Sequence, residues 1–263
     1  GPMPGVSPGE YLSIRGSWVR HPTYGRQFKA EIVERRLPQG LKEVFHYLAS
    51  GAVKGVGKAT ARALIEEFGE DALTIIGEHP EELTKIRGIS PKRAMSISAS
   101  FQQQMGMRLL VEFLGQHNLP MELAAPLYRS YGGAALEALK NDPYLLVGEG
   151  FGVEFSLADQ LALDLGLPGD DPLRLEAGLI FELTHNLNNG HTFLPRGKLL
   201  AASGQLLDIP TEELEEALER LPLKGQVVED RVAGEDAVYL PDLYEAELLV
   251  TQRVREMQDS DLL

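Results

Sequence analysis

Apolar residues alternate with polar ones near the start of the chain. Leu12 and Ile14, then Phe28, Ala30 and Ile32, fall at period two within residues 11–36. Period two is the spacing of one face of a β-strand. His21-Pro22-Thr23-Tyr24-Gly25 between the two runs is turn chemistry. The segment therefore reads as a hairpin whose solvent side shows Arg15, Arg20, Arg26, Lys29, Arg35 and Arg36. A lone hairpin is marginal in water, so this one needs more strands or a docking surface. Pro38-Gln39-Gly40 ends the pattern.

From Leu41 to about Leu167 the pattern changes to short helices, punctuated by glycines and prolines. This stretch contains an internal repeat. Phe68-Gly69-Glu70-Asp71-Ala72-Leu73, then Pro80, Leu83 and Gly88, recurs as Tyr131-Gly132-Gly133-Ala134-Ala135-Leu136, then Pro143, Leu146 and Gly152. The offset is 63, with one extra residue before the last glycine, and Ala61 and Leu64 recur as Ala124 and Leu127. Each unit has a front and a back hairpin. They are Gly55-Val56-Gly57 and Gly88-Ile89-Ser90 in the first, Asn118-Leu119-Pro120 and Gly152-Val153-Glu154 in the second. The duplication predicts two packed helix-hairpin-helix pairs, over 39–105 and 106–168.

A new unit follows Gly169-Asp170-Asp171-Pro172. A helix fits 173–188, with Asp170 or Asp171 as N-cap and Pro172 in its first turn. Thr192-Phe193-Leu194 is a short strand, and Pro195 starts a helix to about Ala202. Another helix runs from Thr211 to Leu221 and is stopped by Pro222. Strands at 226–229 and 237–240 flank a Gly-Glu-Asp turn, and 242–257 reads as a last helix. Helix, strand, helix, helix, strand, strand is the order of a winged helix. The fold class is therefore mainly α: an N-terminal β segment over 1–38, tandem helix-hairpin-helix units, then a winged-helix-like α+β domain over 169–263.

Charge complicates the picture. The 263 residues carry a formal net charge of −14, which argues against a protein that coats nucleic acid. The charge is not uniform. Residues 1–110 hold 15 Lys and Arg against 11 Asp and Glu, a net of +4, whereas 111–263 carry −18. The front can meet phosphates; the back repels them or serves solubility. Zero cysteines exclude disulfides, thiolate zinc sites and a thiol nucleophile. No apolar run reaches the roughly 18 residues of a membrane span, and no signal-peptide pattern is present. These features predict a soluble, cytoplasmic protein without a membrane partner. Gly1-Pro2 ahead of Met3 reads as a cleavage scar.

Val53-Lys54-Gly55-Val56-Gly57-Lys58-Ala59 is the most informative segment. Two glycines around a small apolar residue join one helix to the next. Such a turn lets successive backbone N–H groups, with the positive end of the following helix, hold a phosphate oxygen. Lys54 and Lys58 flank it. An ordinary glycine-capped helix connection is the alternative. Ile86-Arg87-Gly88-Ile89-Ser90-Pro91-Lys92-Arg93 is the second copy, with Ser90 in place of the second glycine and Arg87, Lys92 and Arg93 as its cations. The third and fourth copies look disabled for anions. Pro120 has no N–H, and Glu154 sets a carboxylate where a phosphate would lie. Residues 51–59 fail as a nucleotide-binding Walker A loop. Ala52 stands where its first glycine should be, and Ala59 replaces its Ser/Thr. The six histidines are scattered, and no catalytic or metal-binding constellation stands out. The candidate recognition helix 211–221 carries Glu212, Glu213, Glu215, Glu216 and Glu219 against Arg220, so it would pack on protein instead of DNA.

These residues carry a family resemblance. Trp18-Val19, His21-Pro22 and Tyr24-Gly25-Arg26-Gln27-Phe28 are followed by the Gly55 hairpin, Phe68-Gly69-Glu70, Tyr131-Gly132 and Asp142-Pro143-Tyr144. Phe155, Ala158-Asp159, Gly190-His191-Thr192-Phe193-Leu194-Pro195 and Val238-Tyr239-Leu240-Pro241 complete the string. Over nearly its whole length the chain resembles the N-terminal region of the long RecD-like bacterial DNA helicases, the RecD/TraA family. The resemblance implies an OB-like β segment, of which 1–38 would be part, and tandem helix-hairpin-helix units ahead of a 5′–3′ DNA helicase motor that uses ATP and Mg²⁺. It implies roles in DNA repair and recombination. The chain stops before the Walker A strand the family would present, so it is expected to be no enzyme by itself and to bind no cofactor. Two functions follow. One is non-sequence-specific binding of single-stranded or junction DNA through Lys54, Gly55, Val56, Gly57, Lys58, Arg87, Gly88, Ile89, Ser90, Lys92 and Arg93. The other is a scaffold that docks the motor domains or a replication or repair protein.

Overall fold

The structure is a computed structural model that describes residues 6–148, 150–187 and 190–260. Gly1, Pro2 and position 188 lie outside the described residues. The chain forms two compact units, 1–138 and 139–263.

The first unit begins with the expected hairpin, β1 (Tyr11–His21) against β2 (Gly25–Arg36). His21 closes the turn: its Nδ1 accepts the N–H groups of Thr23 and Tyr24 at 3.1 and 3.3 Å. The register corrects the period-two expectation. Gly16 faces Ala30, but Arg15 faces Ile32 and Ile14 faces Val33, so the pairing shifts between Arg15 and Gly16. A bulge residue flips the alternation beyond it. The apolar row therefore passes from Phe28 and Ala30 to Val33; the side chain of Ile32 lies outside the described residues. Gly16 permits a close approach, since a Cβ there would sit 2.0 Å from the carbonyl oxygen of Lys29. All of β1 is exposed, including Trp18 and Tyr11.

What holds the hairpin is its base. Glu10, with its side chain only 3% exposed, accepts two bonds from Arg35 at 2.9 and 3.0 Å and lies 3.7 Å from Arg108. Arg35 thus belongs to a buried ionic cluster and not to the solvent side where the alternation put it. Burial, and then the Glu10 carboxylate, push up the pKa of the adjoining Tyr47.

The helices that follow are α1 (Leu41–Ala49), α2 (Lys58–Phe68), α3 (Ala72–Glu78), α4 (Pro91–Gln116) and α5 (Ala124–Tyr131), with α6 (Ala135–Asn141) crossing the unit boundary. Leu48, Leu64, Ile76, Leu83 and Ile97 are fully buried among them. The repeat read from sequence is repeated in backbone angles. Gly69 has φ 59 and ψ −133; Gly132 has φ 56 and ψ −136. Each ends a helix, opens one 3₁₀ turn and leads into a seven-residue helix, α3 or α6. Pro80 and Pro143 then open matching 3₁₀ stretches. Gly106 lets α5 lie close on α4, because a Cβ there would meet the Tyr128 ring at 2.6 Å.

The second unit continues with α7 (Phe155–Asp164), α8 (Pro172–Leu187), β3 (Phe193–Pro195), α9 (Arg196–Leu207), α10 (Thr211–Leu223), β4 (Val228–Val232), β5 (Glu235–Tyr239) and α11 (Pro241–Ser260). Its sheet order is β3-β5-β4, all antiparallel, so the winged-helix arrangement forms. Asp171 caps α8 by accepting the N–H of Leu173 at 2.8 Å. Two boundaries differ from expectation. α9 continues to Leu207 and ends on Asp208 at φ 54. Pro222 does not stop α10 but sits in its last turn, where the Lys224 N–H still reaches the carbonyls of Arg220 and Leu221. Asp159 ties this unit together. It takes two bonds from Arg174 at 2.8 and 2.9 Å and one from the Tyr144 hydroxyl at 2.6 Å. Arg174 also donates to the carbonyls of Gly169 and Leu207. Burial, then the bond to Asp159, raise the pKa of Tyr144.

Candidate nucleic-acid interface

Two hairpins of the first unit share one geometry. The Val56 N–H donates to the Val53 carbonyl, and the Ile89 N–H to the Ile86 carbonyl, both at 3.1 Å. Gly55 at φ 90 and Gly88 at φ 92 occupy the third position of these turns, which demands positive φ. Val53, Val56, Ile86 and Ile89 are buried and anchor the turns. Lys54 and Arg87, at the second position of each, are exposed. The core thus drives four apolar side chains inward and leaves the basic ones outside. The same bonds narrow the expected chemistry: the N–H groups of Val56 and Ile89 are spent inside the turns.

The helix starts that follow differ. Gly57 precedes α2 with φ −95 and ψ 178, and no side chain caps the helix. Its first N–H groups therefore lack an intrahelical acceptor. A Cβ on Gly57 would meet nothing within 4 Å, so open space lies beside Gly57 at this helix start. Lys58 borders it, exposed. At the second hairpin, Ser90 caps α4 by accepting the Arg93 N–H at 3.2 Å, and Pro91 has no N–H to give. Arg93 turns back on the protein. Its guanidinium donates to the carbonyls of Gly88 at 3.0 Å and Gly55 at 3.2 Å, and to the Thr60 hydroxyl at 3.3 Å. Lys92 is exposed.

The eleven residues singled out thus fall into groups. Lys54, Gly57 and Lys58 surround the uncapped helix start. Arg87, Gly88, Ser90 and Lys92 line the second turn, with Arg93 joining the two. Gly55 shapes the backbone, and Val56 and Ile89 serve as core. Reading only the residues next to the glycines missed Arg62, exposed on α2 one turn beyond Lys58. The i,i+4 spacing from Lys58 would have found it.

The corresponding hairpins after α4 keep a positive-φ residue at the same place but close through different backbone bonds and lose these features. Asn118 takes the glycine's place at φ 57, the Leu119 N–H donates to Leu114 at 2.8 Å, and Pro120 follows. Gly152 has φ 64, but the extra residue sends the Val153 N–H to the Leu146 carbonyl. Glu154 stands exposed at the start of α7.

The second unit contrasts with these turns in its α10. Glu212, Glu213, Glu215, Glu216 and Glu219 of α10 are exposed, while Arg220 is held by Glu176 at 3.1 Å and Glu216 at 3.3 Å. Near the tip of the β hairpin, Trp18 meets Phe28 edge-on at 5.2 Å and Arg26 lies 4.6 Å over the Trp18 ring. Among the described residues no group of His, Asp and Glu is placed to hold a metal ion. The loop at 51–57 joins α1 to α2 and not a strand to a helix, so it does not fit ATP as a Walker A loop does. Among the described residues no helix is long and apolar enough to cross a membrane.

Two stretches match models of known domains. Residues 1–38 match the OB-fold domain of the ATP-dependent DNA helicase YrrC. Residues 103–193 match the HHH domain of the ATP-dependent RecD2 DNA helicase. Together they support an N-terminal region of a RecD-like helicase and DNA as a partner. Neither match reaches residues 39–102, so the hairpins at 53–58 and 86–93 stand on their geometry.

Proposed function

We propose that this chain, which carries N-terminal domains of the RecD-like helicases, is a DNA-binding accessory region that grips the phosphate backbone without reading sequence. The observation that carries it is the uncapped start of α2 with open space beside Gly57, bordered by exposed Lys54 and Lys58. Backbone donors and a helix terminus hold a phosphate oxygen, and the lysines add counter-charge. The second turn, with Arg87 and Lys92, takes a neighbouring phosphate. Such contacts position a strand and carry no base information. The finer reading includes a cytoplasmic role in DNA repair or recombination, on single-stranded or junction DNA, beside an ATP- and Mg²⁺-dependent motor. It is supported by the family resemblance.

Fluorescence anisotropy of labelled single-stranded, duplex and junction oligonucleotides across a salt series tests it. Affinity is expected to fall steeply with salt, as displaced counterions require. Salt-insensitive binding, or full binding by Lys54→Glu/Lys58→Glu, overturns it.

A second reading concerns the other unit. The exposed glutamates of α10 favour a protein surface, so the winged helix is proposed to dock a basic face of the motor or of a repair protein. Cross-linking with a separately made motor fragment tests this. No association at micromolar concentration overturns it.

A further inference from the structure

Arg93 is the one cation of the second hairpin whose guanidinium is bonded to both turns. Its Nη1 donates to the carbonyl of Gly88 and its Nη2 to the carbonyl of Gly55. These two glycines hold equivalent places in the two turns, at φ 92 and φ 90. Nη2 also reaches the Thr60 hydroxyl in the first turn of α2. The other end of the residue is fixed as well, because the Arg93 N–H donates to Ser90 Oγ.

We infer that Arg93 is a positioning residue, a clasp that fixes the spacing of the two phosphate-binding turns, and not itself a phosphate ligand. The chemistry of the side chain fits the task. A guanidinium is a planar fork of several N–H donors and can span separate acceptors, whereas a lysine ammonium is a compact point charge on a flexible stem. The Gly55 carbonyl lies 38 residues before Arg93 in sequence, and the side chains that the two turns bury in their shared core are apolar, so their packing is non-directional. Fixing Gly55 against Gly88 fixes Lys54 and the start of α2 against Arg87 and Lys92. A site already arranged for successive phosphates loses less freedom on binding. This role in affinity rests on the DNA-binding reading; the clasp itself does not.

The test compares Arg93→Ala, Arg93→Lys and Lys58→Ala, each measured for affinity across a salt series on whichever of the single-stranded, duplex and junction oligonucleotides the wild type binds most tightly, and for hydrogen exchange at the Val56 amide. Removing a phosphate contact reduces the salt slope by about one; Lys58→Ala is expected to do so and to leave Val56 exchange unchanged. Both Arg93 variants are expected to bind about fivefold more weakly with the wild-type slope, the equivalent of one lost hydrogen bond. Both should also exchange Val56 several-fold faster. Thr60→Val, which removes one acceptor and no charge, should shift both readouts the same way and less; it serves where an Arg93 variant does not fold. Near-wild-type binding by Arg93→Lys, with a slope reduced by about one in Arg93→Ala, makes Arg93 a phosphate ligand and overturns the clasp. Unchanged Val56 exchange in the Arg93 variants, or in Thr60→Val where these do not fold, overturns it too. If the wild-type protein shows no salt-dependent binding, the DNA reading falls, and Val56 exchange still decides the clasp.

Discussion

The hairpins at 53–58 and 86–93 and those at 115–120 and 146–154 descend from one pattern. Gly69 and Gly132 agree within a few degrees in φ and ψ, and Leu64, Leu83, Leu127 and Leu146 are all fully buried. Their outward chemistry differs. The first pair presents Lys54 and Lys58 beside the uncapped start of α2, and Arg87 and Lys92 beside the start of α4 that Ser90 caps. The second pair has Pro120 where Gly57 stands and Glu154 where Ser90 stands. The difference teaches that the repeat is a scaffold. Apolar positions and positive-φ turns preserve the fold, while the few exposed residues per turn are free to differ in charge. In the second unit the ion pair of Asp159 and Arg174 joins the 3₁₀ stretch after α6 to α7, α8 and α9, a structural duty with no counterpart among the exposed lysines.

The largest effect expected from this contrast is on stability. Asp159→Ala strands the buried Arg174 guanidinium, which costs about 3 kcal/mol or more. Urea unfolding should show that loss, while DNA affinity well below the melting temperature stays as in the wild type. A large loss of affinity in the folded variant would give the second pair a part in DNA contact. The next effect is on binding alone. Lys54→Ala/Lys58→Ala is expected to weaken binding of single-stranded or junction DNA about tenfold and to flatten the salt slope by about two, with an unchanged urea midpoint. An unchanged slope would remove the lysines from the interface.

Gly57→Ala separates geometry from charge. Its φ of −95 suits alanine, and a Cβ would touch nothing in the protein. Alanine loses less backbone entropy but is a poorer N-cap than glycine, so the two effects oppose and stability should change by no more than about 1 kcal/mol. Affinity should fall by about threefold to fivefold, as expected where a methyl intrudes on one hydrogen-bonded phosphate. Equal affinity would place the phosphate away from the α2 start.

Much of this was legible in the sequence, for reasons that can be named. The 63-residue repeat was visible because glycines in forced turns and leucines in the core tolerate few replacements. The winged-helix order was visible because helix and strand periods differ. What escaped was decided by tertiary contact. A one-residue shift in β1–β2 pairing moved the apolar row to Val33. Arg35, a surface cation by alternation, was drawn onto a buried Glu10 supplied from outside the strand. Pro222 stayed helical because it fell in the last turn, with little helix left to break. At the candidate site, composition grouped Arg93 with the phosphate-facing cations. Only the approach of the two turns gave its guanidinium carbonyls to bind.

The smallest expected effect asks whether charge alone separates the two pairs. Glu154→Lys gives the fourth hairpin a cation where the carboxylate stood, at the start of α7. If a missing charge were the whole difference, affinity would rise by the several-fold that one new phosphate contact brings, and the salt slope would steepen by about one. The backbone argues for less. The extra residue before Gly152 sends the Val153 N–H to Leu146, so this loop closes differently from the four-residue turn from Ile86 to Ile89. A lysine there gains general attraction but no turn that aims donors at one phosphate. Affinity is therefore expected to rise less than about twofold, with the slope steepening by well under one. A steepening of about one would show that the fourth hairpin lacks only charge, and that the inserted residue is no barrier to the phosphate backbone.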